Sequence, residues 1–111
     1  MLFVSECGAI ALTRGDTARL TVSIVNDDSG EPYEIQNDDT LTLSIKKTVK
    51  DENALVSKTI DGTDTFHIEP KDTSELSFGM YVYDVQLTTS DGDVYTVIPP
   101  SKFEILTEVT N

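Results

Sequence analysis

Apolar and polar side chains alternate with a period of two along most of this chain, and no helical period is sustained anywhere in it. Over residues 18–25, Leu20, Val22 and Ile24 fall on one side and Arg19, Thr21 and Ser23 on the other. Over 40–47, Leu41, Leu43 and Ile45 oppose Thr42, Ser44 and Lys46. Phe66 and Ile68 face a core while His67 and Glu69 face water. Residues 79–87 and 94–98 repeat the pattern, and shorter strands are expected at 10–13, 55–60 and 102–106, with 32–35 returning toward the core.

Turn chemistry separates these runs. Arg14-Gly15-Asp16, the Asn26–Gly30 stretch, Asn37-Asp38-Asp39 and Asp61-Gly62 all carry residues that bend the backbone or bond to it. Asp91-Gly92 joins two alternating runs and predicts a type I′ hairpin. Pro99-Pro100 sets the closing strand apart from that hairpin. Pro70 opens a short helical turn near 71–76, with Asp72 or Thr73 as its cap and Leu76 as its anchor.

Seven to eight short strands punctuated this often predict an all-β, immunoglobulin-like antiparallel β-sandwich. The segment from Asp72 and Leu76 to Gly79 and Tyr81-Val82-Tyr83 is like the E–F corner of such domains, where a tyrosine hydroxyl ties the corner to nearby backbone. Tyr81 or Tyr83 is expected in that role. The expected organisation is an N-terminal strand or arm over 1–9, a single domain over 10–106 and a frayed tail over 107–111.

Composition narrows the function. The 111 residues carry 20 acidic and 8 basic side chains, a formal charge of −12. Direct nucleic-acid binding needs a basic footprint and is not expected. An acidic surface suits solubility, a basic protein partner or mimicry of DNA charge. No apolar run approaches a membrane span, and Met1-Leu2-Phe3-Val4 lacks the basic start and length of a signal peptide. The single cysteine, Cys7, excludes an intramolecular disulfide and fits a product that folds in a reducing cytosol.

No residue constellation predicts catalysis, a metal or a cofactor. His67, the only histidine, sits on the outward side of a strand and reads as solvated rather than as a general base. The acidic loops match no EF-hand spacing, and Asx residues make turns unaided. Arg14-Gly15-Asp16 spells an integrin-type tripeptide but reads as a turn between strands. Two sets of residues remain as candidates for binding. Leu2, Phe3, Val4, Tyr33, Tyr95 and Phe103 form a candidate apolar and aromatic interface, the first three as a strand able to pair with a sheet edge. Asp27, Asp28, Asp38, Asp39, Asp61 and Asp64 form a candidate acidic face.

Two segments resemble known proteins. The run from Ile10-Ala11-Leu12-Thr13-Arg14-Gly15-Asp16-Thr17 through Gly30-Glu31-Pro32-Tyr33 to Thr40–Lys47 resembles the N-terminal immunoglobulin-like domain of phage baseplate upper proteins. The run from Gly79-Met80-Tyr81-Val82-Tyr83 through Asp91-Gly92-Asp93 to Pro99 is similar to small structural proteins of phages and prophages of Gram-positive bacteria. The resemblance implies a non-enzymatic phage structural or adaptor protein of the tail, baseplate or head. Such a protein is assembled in the bacterial cytoplasm, resides in the virion and docks on other structural proteins or on itself. The alternative is an acidic, DNA-mimicking inhibitor of a host nucleic-acid-binding defence protein.

Overall fold

The alternation of Leu41, Leu43 and Ile45 with Thr42, Ser44 and Lys46 becomes the two faces of a strand. In the computed structural model, which describes residues 9–26 and 28–107 together with the backbone of 3–5, every second residue of Thr40–Lys46 is buried. Ten strands and one helical turn follow in order. They are β1 (Phe3–Ser5), β2 (Ile10–Thr13), β3 (Ala18–Thr21), β4 (Ile24–Asn26), β5 (Pro32–Tyr33), β6 (Thr40–Lys46), β7 (Val56–Asp61), β8 (Thr65–Ile68), α1 (Pro70–Thr73), β9 (Gly79–Thr88) and β10 (Val94–Leu106).

Five strands form the main sheet in the order β2-β10-β9-β6-β7. All its pairings are antiparallel except that of β2 with β10. β3 and β8 form a separate antiparallel ribbon, and β1, β4 and β5 a small third sheet. A ribbon pairing the strand after the first turn with the strand before the helical corner, set against a sheet centred on β6, β9 and β10, is the arrangement of an immunoglobulin-like sandwich. Its core joins Leu41, Leu43, Ile45, Tyr83, Val85 and Leu87 of the main sheet to Val22, Ile24, Phe66 and Ile68 opposite. Each fully buried side chain of this kind contributes about 1.5–3 kcal/mol.

The corner forms as its sequence predicts, with Tyr81 rather than Tyr83 as the tie. The Tyr81 hydroxyl donates to the carbonyl of Ser77 at 2.7 Å. Lys47 lies over the outer part of this ring, its Nζ 4.6 Å from the centroid. The helical turn is shorter than 71–76 and is capped differently. Glu69 is its N-cap, and the Asp72 carboxylate reaches back to accept the Glu69 amide at 2.7 Å. The same carboxylate accepts Lys58 Nζ at 2.6 Å. Lys58 stands opposite Leu43, in a core-facing position of β7, and its ion pair spans the gap between that strand and α1.

Three expectations are corrected. The run 18–25 is two strands: the Val22 amide still bonds the carbonyl of Asp64 at 2.8 Å, in register with the ribbon, and from Ile24 the chain changes partner and pairs with β1 and β5. The Asp91-Gly92 hairpin is not type I′, since no residue other than glycine has a positive φ. Gly92 alone does, at 87°, and closes a loop of Ser90, Asp91 and Gly92 in which its amide bonds Thr89. The closing strand is not separate. β10 runs through Pro99-Pro100 by shifting register between Thr96 and Ile98 and again between Ile98 and Ser101, so neither proline is asked for a ladder donor. The first shift buries two consecutive residues, Val97 and Ile98.

Tyr81→Phe keeps the ring but removes its bond to Ser77, and is expected to cost about 1 kcal/mol in urea denaturation. Burial resists ionisation of Asp72, but the hydrogen bonds from Lys58 and Glu69 and the charges of Lys58 and Lys71 outweigh it and hold its carboxyl below the usual range. That contribution is present above the ordinary aspartate range and is lost as pH falls through the lowered value. Asp72→Asn is therefore expected to be less stable than wild type at neutral pH, with the difference shrinking in unfolding curves taken below about pH 4.

Candidate functional site

Strand register sorts the loops into two ends. Thr40, Asp61, Thr88 and Val94 stand in one row across β6, β7, β9 and β10. The segments 22–39, 62–64 and 89–93 therefore leave the sandwich at the same end, called here the loop end. Lys46, Val82 and Lys102 share a row near the opposite end, which carries α1.

Charge divides along the same axis. The loop end carries Asp28, Glu31, Glu34, Asp38, Asp39, Asp61, Asp64, Asp91 and Asp93, and no lysine or arginine. All 8 basic residues lie elsewhere, and several are engaged in the fold. Lys58 pairs with Asp72, Lys71 lies 3.2 Å from Glu69, and the Arg14 guanidinium sits 4.4 Å from the centre of the Phe78 ring. The net negative charge of the described residues is thus a property of one end of a body 49 Å long.

One of the loop-end carboxylates is structural. Asp39 is only 2% exposed. Its Oδ2 accepts the Tyr33 hydroxyl at 2.5 Å and the Gln36 amide at 2.9 Å, while its carbonyl accepts the Gly62 amide at 2.9 Å. Gly62 has φ of 65°, and a Cβ there would lie 3.3 Å from the Asn37 carbonyl oxygen, so this close approach requires glycine. Asp39 therefore belongs to the scaffold and not to an acidic face. Its burial was hidden because an Asx-rich loop reads as exposed, whereas its partners lie at Tyr33 and beyond β7.

Asp28, Asp38, Asp61 and Asp64 are exposed at the loop end. Asp61 accepts the Thr40 hydroxyl at 2.8 Å and Asp64 that of Thr65 at 3.0 Å. Asp27, Leu2 and Cys7 lie outside the described residues, as do the side chains of Phe3 and Val4. Phe103 is corrected from interface to core. It is 0% exposed and meets Tyr83 edge-on, with ring centres 6.0 Å apart. Tyr33 and Tyr95 are half-buried against the core. His67 is exposed on β8, opposite Arg19. The Arg14-Gly15-Asp16 turn is fixed by an Asp16 amide bond to Thr13 and a Gly15 amide bond to the buried Thr73 hydroxyl.

A groove that the sequence does not reveal opens at the loop end. Its volume is about 570 Å³, and it lies between the β4–β5 hairpin and residues 62–64. The buried Val22 and Ile24 reach it from the core, Val25, Pro32 and Ile35 add apolar wall, and Glu34 and Asp64 supply carboxylates. Its lining comes from three stretches far apart in sequence, so no local motif marks it. Elsewhere, Asp84 is half-buried on the outer face of the main sheet beside Ser44, Lys46 and Pro100. Burial raises its pKa, with the Lys46 charge acting in opposition. Among the described residues no three His, Cys, Asp or Glu side chains gather as a metal-binding group. The chemistry this geometry offers is attraction and seating of a cation.

Burial pushes the Tyr33 hydroxyl up to about 12, helped by its bond to Asp39 and by the Asp39 charge. The native state then holds this proton more tightly than the unfolded chain, so stability is lost as pH rises from about 10 to 12. Absorbance titration at 295 nm (a tyrosinate band, ~10 being the free value) is expected to lose its component near pH 12 in Tyr33→Phe. No protein-family model and no curated protein matches the chain.

Proposed function

We propose that this chain is a non-enzymatic binding module, an adaptor of a phage tail, baseplate or head, that docks a cationic protein surface through its loop end. The observation that carries the docking mode is the segregation of charge: the described loop-end segments hold nine aspartates and glutamates and no lysine or arginine. A potential of one sign gathered at one end orients an approaching partner and accelerates encounter. The phage context rests on the sequence resemblance of residues 10–47 and 79–99. Its site of action is accordingly the virion, after assembly in the bacterial cytoplasm.

The exposed carboxylates also favour a second reading, the acidic mimic of DNA that blocks a host nucleic-acid-binding protein. It ranks second because these carboxylates collect at one end of the 49 Å body instead of being strung along it in a phosphate-like row.

Quantitative mass spectrometry of purified particles from the encoding phage or prophage is the decisive test. The protein is expected at a fixed copy number per particle, and its affinity for the isolated partner is expected to fall at least about tenfold between low and high salt. Absence from particles, with capture of a host DNA-binding protein from infected cells, overturns the adaptor in favour of the mimic. Partner binding that ignores salt overturns the docking mode.

A further inference from the structure

The groove at the loop end has features that an acidic surface alone lacks. Its base rests on the core residues Val22 and Ile24, which are 2% and 3% exposed, and its open apolar surface is supplied by Val25, Pro32 and Ile35. Its volume of about 570 Å³ falls within the range of roughly 300–1,000 Å³ typical of ligand clefts. It is bordered on one side by Glu34 and on the other by Asp64, both exposed, and its lining contains no lysine or arginine. The Tyr33 hydroxyl is committed to Asp39, which fixes that wall and leaves the carboxylates as the charged groups facing an occupant.

An apolar floor flanked by carboxylates is complementary to a side chain that is apolar along its stem and cationic at its tip. Arginine and lysine have this form. We infer that the groove receives an extended, arginine- or lysine-bearing segment of the partner protein, with an aliphatic stem against Val25, Pro32 and Ile35 and the cationic head between Glu34 and Asp64. This rests on the proposed docking mode and adds where the partner sits and what kind of segment it presents. Such a segment gains specificity from the floor and encounter rate from the surrounding charge.

The test uses a fluorescein-labelled synthetic peptide of alternating Arg and Leu, with controls in which Ser replaces Leu or Gln replaces Arg. Binding is read by anisotropy at low ionic strength, and the contact surface by amide shifts in nitrogen–proton spectra. The Arg/Leu peptide is expected to bind best and to shift the amides of Val25, Glu34, Gly62 and Thr63. Glu34→Lys with Asp64→Lys is expected to weaken it by about tenfold or more. Asp91→Lys with Asp93→Lys makes the same change in net charge at the same end but outside the groove, and is expected to weaken it only about two- to threefold. Spectral mapping on the wild-type protein keeps the test decisive if a variant folds poorly.

Equal losses in the two double variants, equal affinity for the Arg/Ser peptide, or shifts confined to other surfaces overturn the groove while leaving the docking mode intact. Failure of every basic peptide to bind at low salt overturns both. The same amide shifts produced by raising protein concentration alone, with dimerisation seen in sedimentation, overturn the partner segment in favour of a second copy.

Discussion

Everything in this fold follows from a mismatch of areas. Five strands present one apolar face, and only the two strands of the β3–β8 ribbon lie directly across from it. A face of that width left to water would forfeit about 25 cal/mol for every Å² uncovered. The remaining cover comes from short elements recruited around the ribbon. Leu76, just beyond α1, closes one end, and Ile24, Tyr33 and Ile35 of the β4–β5 region close the other. The small third sheet and the helical turn thus act as lids on the core. Their positions need ties, which is why the Tyr81, Asp72 and Asp39 hydrogen bonds fall at these places.

The same mismatch accounts for what could be read from the chain in advance. Where a strand is long and regular, as with Leu41, Leu43 and Ile45 or Tyr81, Tyr83, Val85 and Leu87, period and face were both legible. The corner tie was legible as one of two tyrosines, Tyr81 or Tyr83, because its partner lies only a few residues away. β10 was not, because each register shift resets the phase of the alternation. Val97 and Ile98 are both buried although adjacent, and Phe103, beyond the proline pair, could no longer be assigned a face. The break after Val22 was equally hidden, since it is a change of strand partner, from β8 to β1 and β5, and the alternation of side chains runs on through it.

Less of the candidate site was legible. The sequence identified the excess of carboxylates but could not distinguish Asp39, which holds Tyr33 and the Gln36 amide, from Asp38 beside it, which faces water. Nor does spacing along the chain reveal that the loops near Asp28, Asp61 and Asp91 emerge together while the lysines and arginines gather elsewhere. That grouping is a result of strand register. The groove exists where the β4–β5 lid meets residues 62–64 without filling the space between them, so it is a remainder of packing and has no motif of its own.

Lys58 bears on a different problem. β7 is the outermost strand of the main sheet, and its far side has no strand neighbour among the described residues. A regular apolar strand in that position would be a template on which another copy could add, and then another. In the middle of β7, where the alternation calls for an apolar residue, stands a lysine held by Asp72. A second chain pairing there would have to accommodate a charge on its core-facing side and displace the corner that holds it. The bridge that fastens the helical turn to the sheet thus also places an inward-pointing charge on this edge, a feature that disfavours continuing the sheet there.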